Sequence, residues 1–161
     1  MTAVPEVVVG ALRDAGLSVA TAESLTGGLV CSTLVEVPGA SEVVRGGIVA
    51  YAADLKRDLL GVEAGHLATY GTVDAGTAER MARGVRIRCS SDLGVATTGV
   101  AGPDPSEGEP AGTVFVAVAD AAGVVTRRLA LAGDRQEIRA AAVADALRLV
   151  LERVQGPGKD S

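Results

Sequence analysis

Aromatic residues are almost absent from this chain of 161 residues. It has no tryptophan, two tyrosines and one phenylalanine, although apolar residues make up 48% of it. The core must therefore consist of aliphatic side chains, and the chain is long enough to bury one. We find no run of about 18 apolar residues that would predict a membrane span and no basic, then apolar, export signal at the N-terminus. These absences favour a soluble, cytoplasmic protein.

Histidine, cysteine and clustered positive charge are also scarce. His66 is the single histidine, and Cys31 and Cys89 have no second cysteine or histidine at ligand spacing. This pattern fits neither a metal site nor a disulfide framework. A net charge of −5 without any basic block argues against a nucleic-acid partner. We therefore expect no metal, no cofactor and no nucleic acid.

Lysine is the rarest of the charged residues. Lys56 and Lys159 stand against thirteen arginines, and Lys159 belongs to a polar C-terminal tail. Arginine stays protonated in proteins, whereas a buried lysine can lose its proton near neutral pH. Lys56 is therefore a candidate general base, because His66 is in a predicted surface turn. An ordinary exposed lysine remains the alternative for Lys56, since acidic and basic neighbours surround it.

Hydrophobic periodicity predicts helices that alternate with strands, followed by a hairpin and a closing helix. This order implies an α/β fold, a three-layer α/β/α sandwich with a mixed sheet. We expect one domain over 1–154, a disordered tail over 155–161 and a mobile loop over 102–112. The predicted helices cover 5–15, 26–37, 54–60, 75–86 and 135–154, with Asp74 as a cap, and the strands cover 17–22, 46–51, 93–98, 113–119 and 124–131.

Residues 21–28 contain the most informative motif, Thr-Ala-Glu-Ser-Leu-Thr-Gly-Gly. A tight turn of small hydroxyl residues and glycines can expose the Ser24 hydroxyl beside free backbone N–H groups. Such a turn suits a nucleophile and the oxyanion that it creates. A plain helix start has the same pattern and stays open. The motif lacks the Lys-Ser/Thr of a phosphate-binding P-loop and the first glycine of a Gly-x-Ser-x-Gly elbow.

Two further segments have polar side chains or glycines at predicted element ends. Residues 97–103 end a strand with hydroxyls and glycines, which suit either ligand contacts or a plain turn. Arg135 and Arg139 open the last predicted helix, where arginines suit a phosphate or carboxylate. Asp134 as a simple helix cap explains the same sequence.

Eight segments together, in this order, resemble the C-terminal domain family of competence/damage-inducible protein CinA. The stand-alone members of that family are nicotinamide-nucleotide amidohydrolases. The resemblance spans roughly residues 5–154, and each motif alone is weak. The matching segments are 21–28, 37–41, 46–51, Lys56 with 60–62, 70–73, 98–103, 112–114 and 133–135.

The resemblance implies deamidation of nicotinamide mononucleotide to nicotinate mononucleotide and ammonia, within pyridine nucleotide salvage. By position, Ser24 matches the nucleophile of an acyl-enzyme mechanism, Lys56 its general base and Tyr51 a helper. The N–H groups around Thr26 and Gly27 are expected to hold the oxyanion. The resemblance also implies a homo-oligomer. Expected substrate contacts are Glu23, Thr26, Gly27, Gly28, Thr98, Gly99, Gly102, Arg135 and Arg139.

Two other functions stay open at this stage. One is a non-catalytic nucleotide-binding or regulatory module, and the other is deamidation of a different pyridine or nucleoside amide. The chain also departs from the family pattern. Leu25 replaces a frequent cysteine, Asp74 a frequent serine, and Glu109 a common lysine, so any phosphate contact from that lysine is lost.

Overall fold

A computed structural model describes residues 4–156 of the chain. Within this range no helix has the length and apolar character needed to cross a membrane. The elements in chain order are α1 (Val4–Ala15), β1 (Val19–Glu23), α2 (Leu29–Val35), a 3₁₀ turn (Ala40–Glu42), β2 (Val44–Val49), α3 (Ala53–Leu60), α4 (Ala64–Tyr70), α5 (Ala75–Arg88), β3 (Leu93–Gly99), β4 (Thr113–Asp120), β5 (Gly123–Ala130) and α6 (Arg135–Gln155).

The five strands form one mixed sheet in the order β2-β1-β3-β4-β5. Strand β1 pairs in parallel with both β2 and β3, whereas β4 and β5 are antiparallel to their neighbours. Helices cover both faces, so the predicted α/β/α architecture is confirmed. After β1 the chain forms β2 on one side of β1 and then crosses to form β3 on its other side. The carboxyl ends of β1 and β3 therefore flank a topological switch point, where open α/β sheets bind ligands.

The two faces of the sheet carry side chains of different size. Valines and leucines such as Val95 and Val116 pack against α1, α2 and α6. The opposite face is mostly alanine and glycine, and α5 lies close to it. A methyl group at Gly94 would overlap the carbonyl oxygen of Ala82 on α5. Small residues on β1 and β3 thus fix α5 against the sheet.

The five predicted strands are confirmed to within two residues at each end. Asp74 caps α5 as predicted, since its side chain accepts from the N–H of Thr77. The helix predicted from Thr26 begins instead at Leu29, because the residues before it form a turn.

Helix α4 was not predicted, and the expected surface turn at His66 is wrong. His66 is on this helix, with its ring tilted by 35° to that of Tyr70 and the ring centroids 4.8 Å apart. Its short run of alanine, glycine and threonine gives little apolar periodicity, which explains the miss. The predicted tail over 155–161 is also corrected at its start, since Gln155 ends α6. Residues 157–161 are outside the described residues.

Candidate active site

The Ser24 turn begins where β1 leaves the sheet at its carboxyl end. The Ser24 N–H donates to the Thr97 carbonyl at 3.0 Å, which ties the turn to β3. Gly27 and Gly28 have φ values of 57° and 102°, a left-handed conformation that glycine adopts without steric cost. The Gly27 N–H donates to the Ser24 carbonyl at 3.1 Å. The turn therefore holds Ser24 at the switch point, with the residue only 7% exposed.

Glu23 anchors this turn from beneath and is itself buried. Its carboxylate accepts from the N–H groups of Val30 and Cys31 at 2.8 and 3.0 Å. It also accepts from the hydroxyls of Thr26 and Thr21 at 2.6 and 3.3 Å. The predicted substrate contact of Glu23 is therefore corrected: protein donors occupy both carboxylate oxygens, and the residue positions the turn.

Arg139 holds the other side of the same turn. It donates from Nε to the Leu25 carbonyl at 2.8 Å and from Nη2 to the Thr26 carbonyl at 3.2 Å. Its guanidinium also packs against Gly27, where a side chain would be in contact with it. Arg139 was predicted to contact substrate, but the structure places it as a support for the turn.

The predicted oxyanion donors change for a similar reason. The Gly27 N–H is already bonded to Ser24. The hydrogen bonds among residues 4–156 leave the N–H groups of Leu25 and Thr26 without an acceptor, although both residues are buried. Buried N–H groups are almost always paired in folded proteins. These two donors directly follow Ser24 in the chain and are therefore the better candidates for an oxyanion site.

Lys56 meets Ser24 from the first turn of α3. The residue is 1% exposed, and its Nζ lies 2.9 Å from Ser24 Oγ. The other contacts of Nζ are main-chain carbonyls, Ala50 at 2.8 Å and Tyr51 at 3.0 Å. Burial lowers the pKa of Lys56 from 10.5 to about 8, although the negative charge of Glu107 opposes this fall.

The three contacts of Lys56 suit both of its protonation states. Carbonyls only accept, so a neutral amine donates its two N–H groups to Ala50 and Tyr51 and keeps its lone pair for the Ser24 hydroxyl. The ammonium form donates three hydrogen bonds to the same three atoms. The site therefore accommodates a proton on either Ser24 or Lys56 without rearrangement.

Tyr51 contacts Lys56 through its main chain rather than its phenol. The phenol is 62% exposed, and its hydroxyl lies 3.4 Å from Nη2 of Arg135. Because Lys56 and Ser24 are in direct contact, a proton relay through the phenol is not required between them. The Tyr51 side chain instead lies at the mouth of the adjoining cavity.

A cavity of about 210 Å³ adjoins the Ser24 turn. Arg135 lines this cavity and donates to the Gly102 carbonyl at 2.7 Å. Four predicted site residues line it, namely Tyr51, Gly99, Gly102 and Arg135. The other lining residues are Leu25, Val100, Ala101, Pro103, Asp104 and Ser106.

The remaining predicted substrate contacts belong to the framework around the cavity. Thr98 donates to the Thr72 carbonyl at 2.7 Å and so ties β3 to the segment before α5. The hydroxyls of Thr26 and Thr97 are 2.7 Å apart. Gly28 is the N-terminal cap position of α2 and packs against Val49.

Sequence reasoning missed three contributors to the site. One is the Ala50 carbonyl, which no sequence pattern can single out because every residue type has a main-chain carbonyl. The other two are Thr72 and Glu107: the Glu107 carboxylate accepts from the Thr72 N–H at 3.1 Å, and its charge acts on Lys56. An acidic residue before Gly108 in an otherwise polar loop was the available clue.

Other features of the described residues carry no comparable chemistry. His66 pairs with the cap residue Asp74 at 3.0 Å, on α4 and away from Ser24. Residues 4–156 contain no group of three or more histidine, cysteine or acidic side chains placed to hold a metal. A larger groove of about 1200 Å³ lies beside the edge strand β5, where Asp120 and Arg153 are already paired.

Comparison with known sequences identifies relatives of this chain. A family model for the CinA C-terminal domain matches residues 1–154. A CinA-like protein of Frankia casuarinae is 49% identical over 150 residues, which are 93% of this chain and 35% of that protein. The chain thus spans about a third of the length of the curated relatives that it matches.

Solved structures of similar length share the fold. The competence/damage inducible protein CihA from Agrobacterium tumefaciens is 37% identical, with a TM-score of 0.89, over 97% of this chain and 100% of that one. A competence damage-inducible protein A from Klebsiella pneumoniae is 31% identical, with a TM-score of 0.93, over 96% and 97% of the two chains.

Proposed function

This chain belongs to the CinA C-terminal domain family, and we propose that it is an amidohydrolase that converts nicotinamide mononucleotide to nicotinate mononucleotide and ammonia. One observation carries the proposal: a buried lysine amine, with a pKa near 8, lies 2.9 Å from a serine hydroxyl. The names of the relatives refer to competence and damage induction. These names specify no reaction, so support for the reaction comes from the site and from the family resemblance.

In the first step, neutral Lys56 takes the proton of Ser24 as Oγ attacks the carboxamide carbon. A C–O bond forms, and the carbonyl oxygen becomes an oxyanion beside the free N–H groups of Leu25 and Thr26. Donors fixed before the reaction stabilise such charge strongly in a site with little water. The Ala50 and Tyr51 carbonyls stabilise the ammonium that Lys56 becomes.

In the second step, the Lys56 ammonium protonates the amide nitrogen, the C–N bond breaks, and ammonia leaves. An ester between the nicotinate carbonyl and Ser24 remains. Lys56 then takes a proton from water, whose oxygen attacks the ester carbon. Collapse of this intermediate returns the Lys56 proton to Ser24 Oγ and releases the carboxylic acid, which then loses its proton to solvent. One water is consumed for each ammonia released.

The charges around the cavity support a phosphorylated pyridinium substrate. The nicotinamide ring is cationic, which favours the neutral form of the neighbouring Lys56. Arg135 borders the cavity and offers guanidinium donors suited to phosphate. Arg139 is committed to the Ser24 turn. We therefore assign the phosphate contact to Arg135 alone among the two predicted arginines.

The direct test is ammonia release by the purified protein from nicotinamide mononucleotide, nicotinamide riboside, nicotinamide and a nucleoside amide. We expect turnover of the mononucleotide, rising with pH through about 8. Turnover of another amide alone would change the substrate assignment. Tight binding of the mononucleotide without ammonia release would favour a nucleotide-binding module and overturn the hydrolase.

A further inference from the structure

The loop over 102–112 ends in a hairpin whose tip is conformationally unusual. Ser106 and Glu109 exchange two main-chain hydrogen bonds at 3.0 and 2.9 Å. Between them Glu107 and Gly108 have φ values of 53° and 78°. Two positive φ values in a two-residue loop define a type I′ turn, which favours asparagine, aspartate or glycine. Glutamate at its first position therefore costs conformational free energy, and such sites often serve a function.

The Glu107 side chain uses this conformation to cross to the segment between α4 and α5. Its carboxylate accepts from the Thr72 N–H at 3.1 Å, from the Thr72 hydroxyl at 3.0 Å and from the Val73 N–H at 2.8 Å. Gly71 leaves room for it, since a Cβ there would lie 2.9 Å from Glu107 Oε1. Burial raises the pKa of Glu107, but these hydrogen bonds and the charge of Lys56 together lower it.

This contact ties the loop, through Thr72, to the end of β3. The Thr72 carbonyl accepts from Thr98 at the end of β3, and Thr72 in turn donates to Glu107. The same loop supplies Gly102 and Ser106 to the cavity wall. The reacting pair itself is covered, since Ser24 is only 7% exposed and Lys56 only 1% exposed. A nucleotide therefore needs a covering segment to move before its amide can reach the Ser24 hydroxyl.

We propose that the 102–112 loop is a lid over the Ser24–Lys56 pair and that Glu107 is the positioning residue that latches it closed against Thr72 and Val73. The identity of the substrate in this inference rests on the proposed function. Opening of the lid admits the nucleotide, and closing excludes water other than the one consumed. The latch also brings a fixed negative charge close to Lys56.

The hairpin supplies its own control. Glu109 is two residues from Glu107, but its carboxylate pairs with Arg128 on β5 at 3.0 Å. Within residues 4–156, the N–H groups of Thr72 and Val73 donate to Glu107 and not to Glu109. A change at Glu109 therefore perturbs the same hairpin and removes the same charge without touching the latch.

The test compares Glu107→Asn with Glu109→Gln in the intact protein. Asparagine suits the type I′ turn, so the melting temperature should stay the same or rise. It is too short to bind Thr72 as Glu107 does. We expect hydrogen exchange of the 99–112 peptide to accelerate at least tenfold and kcat/KM for nicotinamide mononucleotide to fall at least tenfold. Glu109→Gln should match the wild type in both measurements.

Glu107→Gln separates the latch from the charge. Its amide oxygen can still accept from Val73, so hydrogen exchange of the 99–112 peptide should be slower than in Glu107→Asn. Both Glu107 variants should shift the acidic limb of the kcat/KM profile to lower pH, because the Glu107 charge that raises the Lys56 pKa is gone. Among residues 4–156, Glu107 is the charged group that raises that pKa.

The outcomes distinguish this inference from the proposed function. Turnover of the mononucleotide by the wild type, with Glu107→Asn within twofold in kcat/KM, would overturn the latch and leave the hydrolase intact. Absence of any turnover in the wild type would overturn the hydrolase. Hydrogen exchange of the 99–112 peptide would then still decide the latch, and equal exchange in wild type and Glu107→Asn would overturn it.

Discussion

Lys56 Nζ lies 2.8 Å from the main-chain carbonyl oxygen of Ala50. This contact comes from the backbone, so it does not depend on the identity of residue 50. The Ala50 and Tyr51 carbonyls accept from two N–H groups of the amine, and the third position on Nζ faces Ser24 Oγ. A main-chain clamp of this kind makes the lysine difficult to replace by any other base.

Replacing Lys56 should therefore abolish turnover. Lys56→Met keeps most of the buried volume without an amine, and Lys56→Arg keeps a cation that cannot accept a proton. We expect kcat for ammonia release to fall by about 10²–10⁴ in both variants. Arg57→Met, a change of the exposed neighbour that pairs with Asp58, is the matched control and should keep wild-type rates. Activity of Lys56→Met within threefold of wild type would remove Lys56 from the role of base.

Substitutions at the consecutive residues Glu23 and Ser24 should differ in their effects on stability. Ser24→Ala removes a single hydrogen bond, so unfolding free energy should change by about 1 kcal/mol while turnover is lost. Glu23→Gln places an amide N–H against the helix donors Val30 and Cys31, which should cost about 2–4 kcal/mol. Urea unfolding of both variants checks this contrast. Equal stability of the two would show that Glu23 does not anchor the turn.

The sequence was informative where side-chain chemistry is local. The scarcity of lysine singled out Lys56, and the hydroxyl and glycine cluster singled out the Ser24 turn, because both signals lie within a few residues. The alternation of apolar segments predicted the mixed α/β sheet for the same reason. Helix α4 was missed because its residues show little apolar periodicity: Leu67 packs against the core, whereas Tyr70 is 62% exposed.

Contacts between distant segments could not be predicted in this way. Arg135 and Arg139 are one helical turn apart and look equivalent in sequence. Only the fold shows that Arg139 reaches the Leu25 carbonyl, whereas Arg135 borders the cavity. Glu107 likewise gains its partners Thr72 and Val73 from a turn conformation that its residue type disfavours.

Alanine substitutions of Arg135 and Arg139 should have different effects on the kinetics of ammonia release. Arg135→Ala removes the proposed phosphate contact, so KM for nicotinamide mononucleotide should rise at least tenfold. The rate with nicotinamide riboside, which lacks the phosphate, should change less than twofold. Steady-state ammonia release from both substrates measures this. An equal loss with both substrates would show that Arg135 supports the cavity rather than the phosphate.

Arg139→Ala is the matched variant on the same helix. It removes two hydrogen bonds to the Ser24 turn, so we expect lower kcat with both substrates and a loss of about 1–3 kcal/mol in unfolding free energy.

Burial of Lys56 should also make stability depend on pH. An unfolded lysine stays protonated up to about pH 10.4, whereas Lys56 in the folded protein loses its proton near pH 8. Between these values the unfolded state binds more protons. The wild-type unfolding free energy should therefore gain up to about 1.4 kcal/mol per pH unit from this group. Urea unfolding from pH 7 to 10 should show this gain in wild type relative to Lys56→Met. Parallel curves would contradict it.

The protonation of Lys56 can be observed directly, because the chain contains only two lysines. A ¹³Cε-lysine-labelled sample should give two signals, and the one that disappears in Lys56→Met belongs to Lys56. An NMR titration of that signal tests the account most directly. We predict a midpoint near pH 8. A midpoint above pH 10 would mean that the amine is charged at working pH and cannot deprotonate Ser24.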